Sequence, residues 1–174
     1  MQGPALDIVH ALKYGGWPAT APEMARRMAR LSFPPDVLAE RPLVVPVPLS
    51  PRRLRERGYN QSALLSAELA TKWGATHRPD VLLRTRSTET QTRLTPADRL
   101  RNVSGAFSAP ESARIVLRGA HVVLVDDVVT TAATLNACAA ALYASGARII
   151  SFVTFARAPA RGDRWQPAAI RDRS

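Results

Sequence analysis

Two adjacent acids, Asp126 and Asp127, follow an apolar run over residues 122 to 125 and precede three threonines, Thr130, Thr131 and Thr134. Paired carboxylates accept hydrogen bonds from vicinal sugar hydroxyls and help to hold Mg²⁺, directly or through water. Threonine hydroxyls at the entrance of a helix, together with its free backbone N–H groups, make a seat for a phosphate monoester. Each charge held at a helix N-terminus gains about 0.3–1 kcal/mol when exposed and up to ~2 when partly buried. The same residues also fit a plainer role, in which acids at a strand end cap the helix that follows.

For that chemistry the acids must sit at the carboxyl end of a buried strand, with a helix starting beside them. The sequence supplies both: residues 122 to 125 predict a strand buried on both faces, and Ala132 to Ser145 a helix ended by Gly146. Upstream, residues 5 to 14 and about 22 to 31 have helical spacing, residues 43 to 47 read as a short buried strand, and 60 to 73 as a helix. Further on, 81 to 84 and 105 to 107 read as minor strands, 85 to 101 as a long loop, and 148 to 155 as a final β-rich segment. Strands alternating with helices predict an α/β protein with a central parallel sheet. The expected organisation is a helical segment over 1–40 packing on a core over 41–158, with a loosely ordered tail over 159–174.

At 174 residues the chain fits one ordinary domain, which buries about 70% of the surface its unfolded form exposes. Its single cysteine, Cys138, excludes an intrachain disulfide and a four-thiolate zinc site built from this chain alone. It reads as a small core residue. His10, His77 and His121 lack metal-ligand spacing and are expected to be structural. With no signal-like start and no apolar run near 20 residues, the expectation is a soluble, cytoplasmic protein without membrane insertion. The net charge of +10 favours polyanionic partners, single-stranded DNA among them. A bias of 22 Arg to 2 Lys also fits a GC-rich coding sequence.

The segment VVLVDDVVTTAATL, residues 122 to 135, resembles the phosphoribosyl-diphosphate loop of type I phosphoribosyltransferases. With ALKY at 11 to 14, VPVPLSPRRLRERGYNQ at 45 to 61 and LLRTRSTETQTRLTPADRLRNVSGAF at 82 to 107, the wider pattern is similar to the ComF-type competence and phosphoribosyltransferase-like family. That resemblance implies the type I phosphoribosyltransferase fold with a small hood. It also implies 5-phosphoribosyl 1-diphosphate as ligand, Mg as cofactor, and a role with single-stranded DNA and DNA-uptake proteins.

By the same resemblance Asp126 and Asp127 engage ribose and metal, and the binding loop runs through Val128, Val129, Thr130, Thr131, Ala132, Ala133 and Thr134. Ser50, Arg52 and Arg53, in the loop after the first strand, face the pyrophosphate. Arg86, Gln91 and Arg99 belong to a loop that closes over the reacting ribose. Arg57, Gly58, Tyr59, Asn60 and Gln61 are expected to begin the helix after the basic turn and, with Asn102, are family-motif positions without an assigned role; read alone, Asn60 is an N-cap and Tyr59 a packing residue.

Two departures stand out. Ala132 occupies a position where such loops usually carry Gly, costing about 1–2 kcal/mol if the backbone there is left-handed. The N-terminal zinc-binding cysteine cluster common in ComF-type proteins has no counterpart in this sequence. Members that use 6-oxopurines carry an acid where Thr130 stands, which argues against hypoxanthine or guanine salvage. Three readings follow: a diphosphate-binding protein of DNA uptake, a transferase with an unidentified acceptor, or a non-catalytic sensor of the diphosphate.

Overall fold

The computed structural model describes residues 20–31, 35–86, 105–129 and 132–157. The helix expected over residues 5 to 14 and the tail after 157 lie outside these. Helix α1, Ala21–Met28, has a proline in its first turn and buries Ala21, Met24, Ala25 and Met28 at helical spacing. A short helix α2, Pro35–Ala39, leads to strand β1, Leu43–Pro46. Helices α3, Pro51–Arg57, and α4, Gln61–Trp73, then lead to a two-residue strand β2, Thr76–His77.

Next come β3, Leu83–Arg84, and β4, Phe107–Ser108, which pair antiparallel apart from the main sheet. A 3₁₀ turn, Glu111–Ala113, and helix α5, Arg114–Leu117, precede strand β5, His121–Val129. Helix α6, Ala133–Ala144, and strand β6, Ile149–Arg157, complete the described chain.

The main sheet runs β2-β1-β5-β6 and is parallel throughout. Side chains alternate across it. Val44, Val123, Val125 and Val153 face a core shared with α1 and with Leu65 and Leu69 of α4. Val45, Val122 and Leu124 face the opposite core, with Leu135, Cys138 and Leu142 of α6. Fully burying such a Val or Leu contributes about 1.5–3 kcal/mol, so these two apolar faces fix the strand register.

That layering positions a crevice. β1 is followed by α4 on one face and then by β2 on one side of the sheet, whereas β5 is followed by α6 on the other face and then by β6 on the other side. The chain therefore leaves β1 and β5 in opposite directions at their carboxyl ends, the topological switch point where open α/β sheets bind ligands.

Three local expectations are corrected. β5 continues to Val129 because β6 keeps pairing with it, with Asp126 opposite Thr154 and Val129 opposite Arg157, so both acids lie within the strand. The basic turn after β1 contains a helix instead. Ser50 caps it with its hydroxyl 3.4 Å from Arg53 N, and a proline occupies its first turn. Arg57 accordingly ends α3 rather than opening α4, and Gly58, at φ 79°, takes the left-handed cap between the two helices.

The two histidines within the described residues are structural, as expected. His121 Nδ1 lies 3.1 Å from Glu40 Oε2 and its Nε2 2.9 Å from Ser151 Oγ, while Arg148 donates to the same Glu40 oxygen. This network ties the approach to β1 to the starts of β5 and β6, at the sheet end away from the acids. His77 Nε2 lies 2.9 Å from Ser66 Oγ, joining β2 to α4.

Candidate functional site

At the switch point a cavity of about 200 Å³ opens between the ends of β1 and β5. Val47, Pro48 and Leu49 form one wall, and Asp126 to Val129 form another. The first turn of α6 closes the end, with Ala132, Ala133, Thr134 and Leu135 facing in. Arg53, Arg57, Gln61, Ser62 and Arg84 complete the lining.

Asp126 and Asp127 occupy successive strand positions and so lean to opposite faces, yet both reach this cavity. Asp126 Oδ1 accepts from Ser62 Oγ at 3.0 Å and from the backbone N–H of Asp127 at 2.9 Å. Asp127 is buried, and its Oδ1 accepts from Val128 N at 2.9 Å. These hydrogen bonds fix the orientation of both carboxylates.

The motif residues before α4 form the opposing wall. Asn60 caps that helix: its Oδ1 accepts from Ser62 N at 3.1 Å, while its Nδ2 donates to Val47 O at 3.1 Å. One side chain thus fixes the helix start against the end of β1. Gln61 and Ser62 are consequently turned inward and buried, Ser62 against Asp126 and Gln61 into the cavity wall.

Among the described residues no side chain caps the entrance of α6. Ala132 precedes it in the left-handed conformation, at φ 56° and ψ 3°. Backbone N–H groups of the first turn therefore face the cavity beside the acids, in the arrangement that receives a phosphate. Ala132 therefore does adopt the left-handed backbone, and the loop keeps the glycine-type shape at a cost of about 1–2 kcal/mol.

Three guanidinium groups counter the two acids around the cavity. Arg84 lies 5.3 Å over the Phe107 ring. Its pKa is pushed down by burial and, secondarily, by the charge of Arg53 nearby. Two like charges converging on one partly buried space favour an anion between them.

Of the residues singled out from sequence, the structure brings together Asp126, Asp127, Val128, Val129, Ala132, Ala133, Thr134, Arg53, Arg57 and Gln61. Ser50 is buried and spent on capping α3. Arg52 does not line the cavity; it is exposed and paired with Glu56 at 2.7 Å. Arg86 is exposed away from the lining. Gly58 acts through its backbone as the left-handed cap of α3, Asn60 acts through its side chain as the cap of α4, and Tyr59 is half-buried outside the lining. Thr130, Thr131, Gln91, Arg99 and Asn102 lie outside the described residues.

Sequence reasoning missed Ser62 and Arg84. Ser62 directly follows the motif ending at Gln61, which was the available signal. Arg84 reads locally as an ordinary strand residue, and only the fold brings it to the acids.

Among the described residues no group of three or more His, Cys, Asp or Glu is placed to hold a metal. The oxygen donors of Asp126 and Asp127 nevertheless suit Mg²⁺, which is commonly held by one or two carboxylates together with substrate phosphates. Among those same residues no helix is long and apolar enough to cross a membrane.

A family profile for the phosphoribosyl transferase domain matches residues 63–171. The DNA utilization protein YhgH of Salmonella typhi is 37% identical over 150 residues, covering 82% of this chain and 63% of that protein. Competence protein F of Haemophilus influenzae is 37% identical over 115 residues, covering 66% and 50% of the two chains. Competence protein ComFC of Bacillus subtilis is 34% identical over 104 residues, covering 60% and 39%. The chain therefore spans less than two thirds of the length of these relatives. Among solved structures, the allosteric regulatory enzyme of purine biosynthesis superposes with a TM-score of 0.52 at 22% identity, over 79% of this chain and 26% of that one. The glutamine phosphoribosylpyrophosphate amidotransferase of B. subtilis gives 0.51 at 20% identity, over 78% and 26%. The parallel sheet agrees with the solved structures, and the family profile and the relatives together show the family: the chain belongs to the phosphoribosyltransferase domain family, and within it to the ComF type.

Proposed function

We propose that the cavity binds 5-phosphoribosyl 1-diphosphate with Mg²⁺, and that the protein serves DNA uptake in the cytoplasm. The observation carrying this is the juxtaposition of two held carboxylates, an uncapped helix entrance and three guanidinium groups around one cavity. The α6 entrance and Thr134 take the 5-phosphate, and Asp126 and Asp127 face the sugar hydroxyls. Arg53 and Arg84 neutralise the diphosphate. Mg²⁺, held by Asp126 and Asp127 together with the ligand, would supply further neutralisation of the diphosphate charge.

In the transferase reading, a nitrogen nucleophile displaces pyrophosphate at C1 of the sugar. Arg53 and Arg84 then stabilise the charge that grows on the departing oxygen, a contribution largest in a site shielded from water. The names of the relatives and the net charge of +10 support the DNA role.

Calorimetric titration of the diphosphate with Mg²⁺ tests the shared premise. Wild type should bind, and Asp126→Asn/Asp127→Asn should lose at least tenfold in affinity; equal affinity of the two overturns the site. Pyrophosphate release on adding a panel of nucleobases and amines separates a transferase from a sensor. Single-stranded DNA affinity should fall with salt with a slope of about −0.7 per phosphate contacted; no binding at low salt rules out direct contact.

A further inference from the structure

Gln61 opens α4 and lines the cavity at only 2% exposure, next to the serine that holds Asp126. Its amide oxygen, Oε1, is buried and meets no hydrogen-bond partner among the described residues. A buried acceptor that has given up water without a replacement is destabilising, and native proteins rarely keep one without a use. Here it forms part of a cavity wall, so a donor arriving with the ligand would satisfy it.

The chemistry of the ligand narrows that donor. Phosphoryl groups and a diphosphate bring oxygen acceptors, which suit guanidinium and backbone N–H groups but not an amide oxygen. The donors on a phosphorylated pentose are its hydroxyls. Each carboxylate beside Gln61 already commits Oδ1 to the protein, Asp126 to Ser62 and its own strand, Asp127 to Val128 N. An additional acceptor at this wall therefore complements the two acids.

We propose that Gln61 is a specificity-determining residue that accepts a hydrogen bond from a secondary hydroxyl of the bound pentose, so that the cavity distinguishes ribose phosphates from deoxyribose phosphates. The inference rests on the sugar-phosphate reading of the site given above. It adds to the acid pair a neutral acceptor from the opposite wall.

The test measures affinities of methyl ribofuranoside 5-phosphate and its 2-deoxy and 3-deoxy analogues, in which the anomeric hydroxyl is blocked. Wild type should bind the riboside about tenfold more tightly than at least one deoxy analogue, and tenfold corresponds to about 1.4 kcal/mol. Gln61→Met, similar in size but lacking the acceptor, should lose that tenfold for the riboside and stay within twofold for the same deoxy analogue. Gln61→Glu keeps an acceptor and should keep the discrimination, which decides the matter if the Met variant folds poorly.

Equal losses on all three ligands, or no loss, overturn the proposal while leaving the site intact. A loss seen only when Mg²⁺ is present assigns the oxygen to the ion and overturns it as well. Failure of wild type to bind both the riboside and the diphosphate instead overturns the sugar-phosphate reading itself.

Discussion

Ser62 Oγ donates a hydrogen bond of 3.0 Å to Asp126 Oδ1, joining the first turn of α4 to β5 across 64 positions of sequence. The hydroxyl and the backbone N–H of Asp127 hold the same carboxylate oxygen, so the orientation of Asp126 is set before any ligand arrives. Preorganisation of this kind lowers the ordering cost of binding.

Ser62→Ala should therefore weaken binding of the diphosphate more than it weakens the fold. A hydrogen bond to a charged group contributes about 1.5–3 kcal/mol, so an affinity loss of roughly tenfold or more is expected. Calorimetric titration beside urea unfolding checks this. An unchanged affinity with a lowered unfolding midpoint would make the contact purely structural.

Ala132→Gly removes the penalty of a left-handed L-residue, about 1–2 kcal/mol, and restores freedom to the unfolded chain at about 0.4–1 kcal/mol. The net expectation is a gain of about 0–1.6 kcal/mol, read as a small rise in midpoint temperature, with phosphate affinity kept or improved. Ala132→Val should go the other way, because a β-branched side chain tolerates φ 56° poorly. A stabilised Val variant would contradict the left-handed backbone.

The pH dependence of stability has two separate origins. Burial lowers the pKa of His77 below its ordinary 6.5, with the charge of Asp80 opposing that shift. As pH falls through 6.5 the unfolded chain takes up a proton before the folded one does, so this contribution is full above 6.5 and lost below it. The carboxyls of Glu40 and Asp80 are held low by hydrogen bonds from Arg148 and Arg78, and their contributions vanish only at more acid pH. Unfolding midpoints at pH 7.5 and 5.5 should differ less in His77→Asn than in wild type. An identical difference would remove His77 from the account.

Much of the architecture could be read directly because its signals are local. The run from Val122 to Val125, the spacing of Met24 and Met28 and the glycine after α6 each report a periodicity or a stop within a few residues. Strand β2 escaped notice because two residues, Thr76 and His77, carry no period; their pairing with Leu43 and Val44 is wholly tertiary. Helix α3 was hidden by its arginines, although Ser50 and Pro51 spell an N-terminal helix signature. At the site, the acids and the entrance of α6 were legible as one continuous segment. The inward faces of Ser62 and Arg84 were not, because the carboxylate that Ser62 bonds lies 64 positions away and Arg84 meets the acids only in the folded chain.

Cys138 should be inert in the folded protein. It is fully buried in the core under α6, and burial, aided by the charge of Asp126, pushes its thiol pKa well up. Since the thiolate is the reactive form, a disulfide-exchange reagent at pH 8 should label it only as fast as the protein opens. Labelling in denaturant should be immediate. Rapid labelling of the native chain would mean that this core opens readily.

Arg52, Arg53 and Arg84 provide a graded test of the anion site. Arg52 is exposed outside the cavity and bonded to Glu56, which raises its pKa, so Arg52→Ala should leave diphosphate affinity within about twofold, because an exposed, solvent-screened charge contributes little. Arg53 and Arg84 face the cavity and each other's charge. Replacing either by Ala should cost roughly tenfold or more, the range for a charged hydrogen bond. Arg84→Lys should recover only part of that loss, because lysine keeps the charge but not the planar, forked guanidinium that lies over the Phe107 ring. The same substitutions also carry a signature in the unliganded protein: removing Arg53 relieves the repulsion on Arg84, so Arg53→Ala should stabilise the empty fold slightly while weakening the ligand. Equal losses for Arg52 and Arg53 would show that general surface charge, rather than this cavity, attracts the anion.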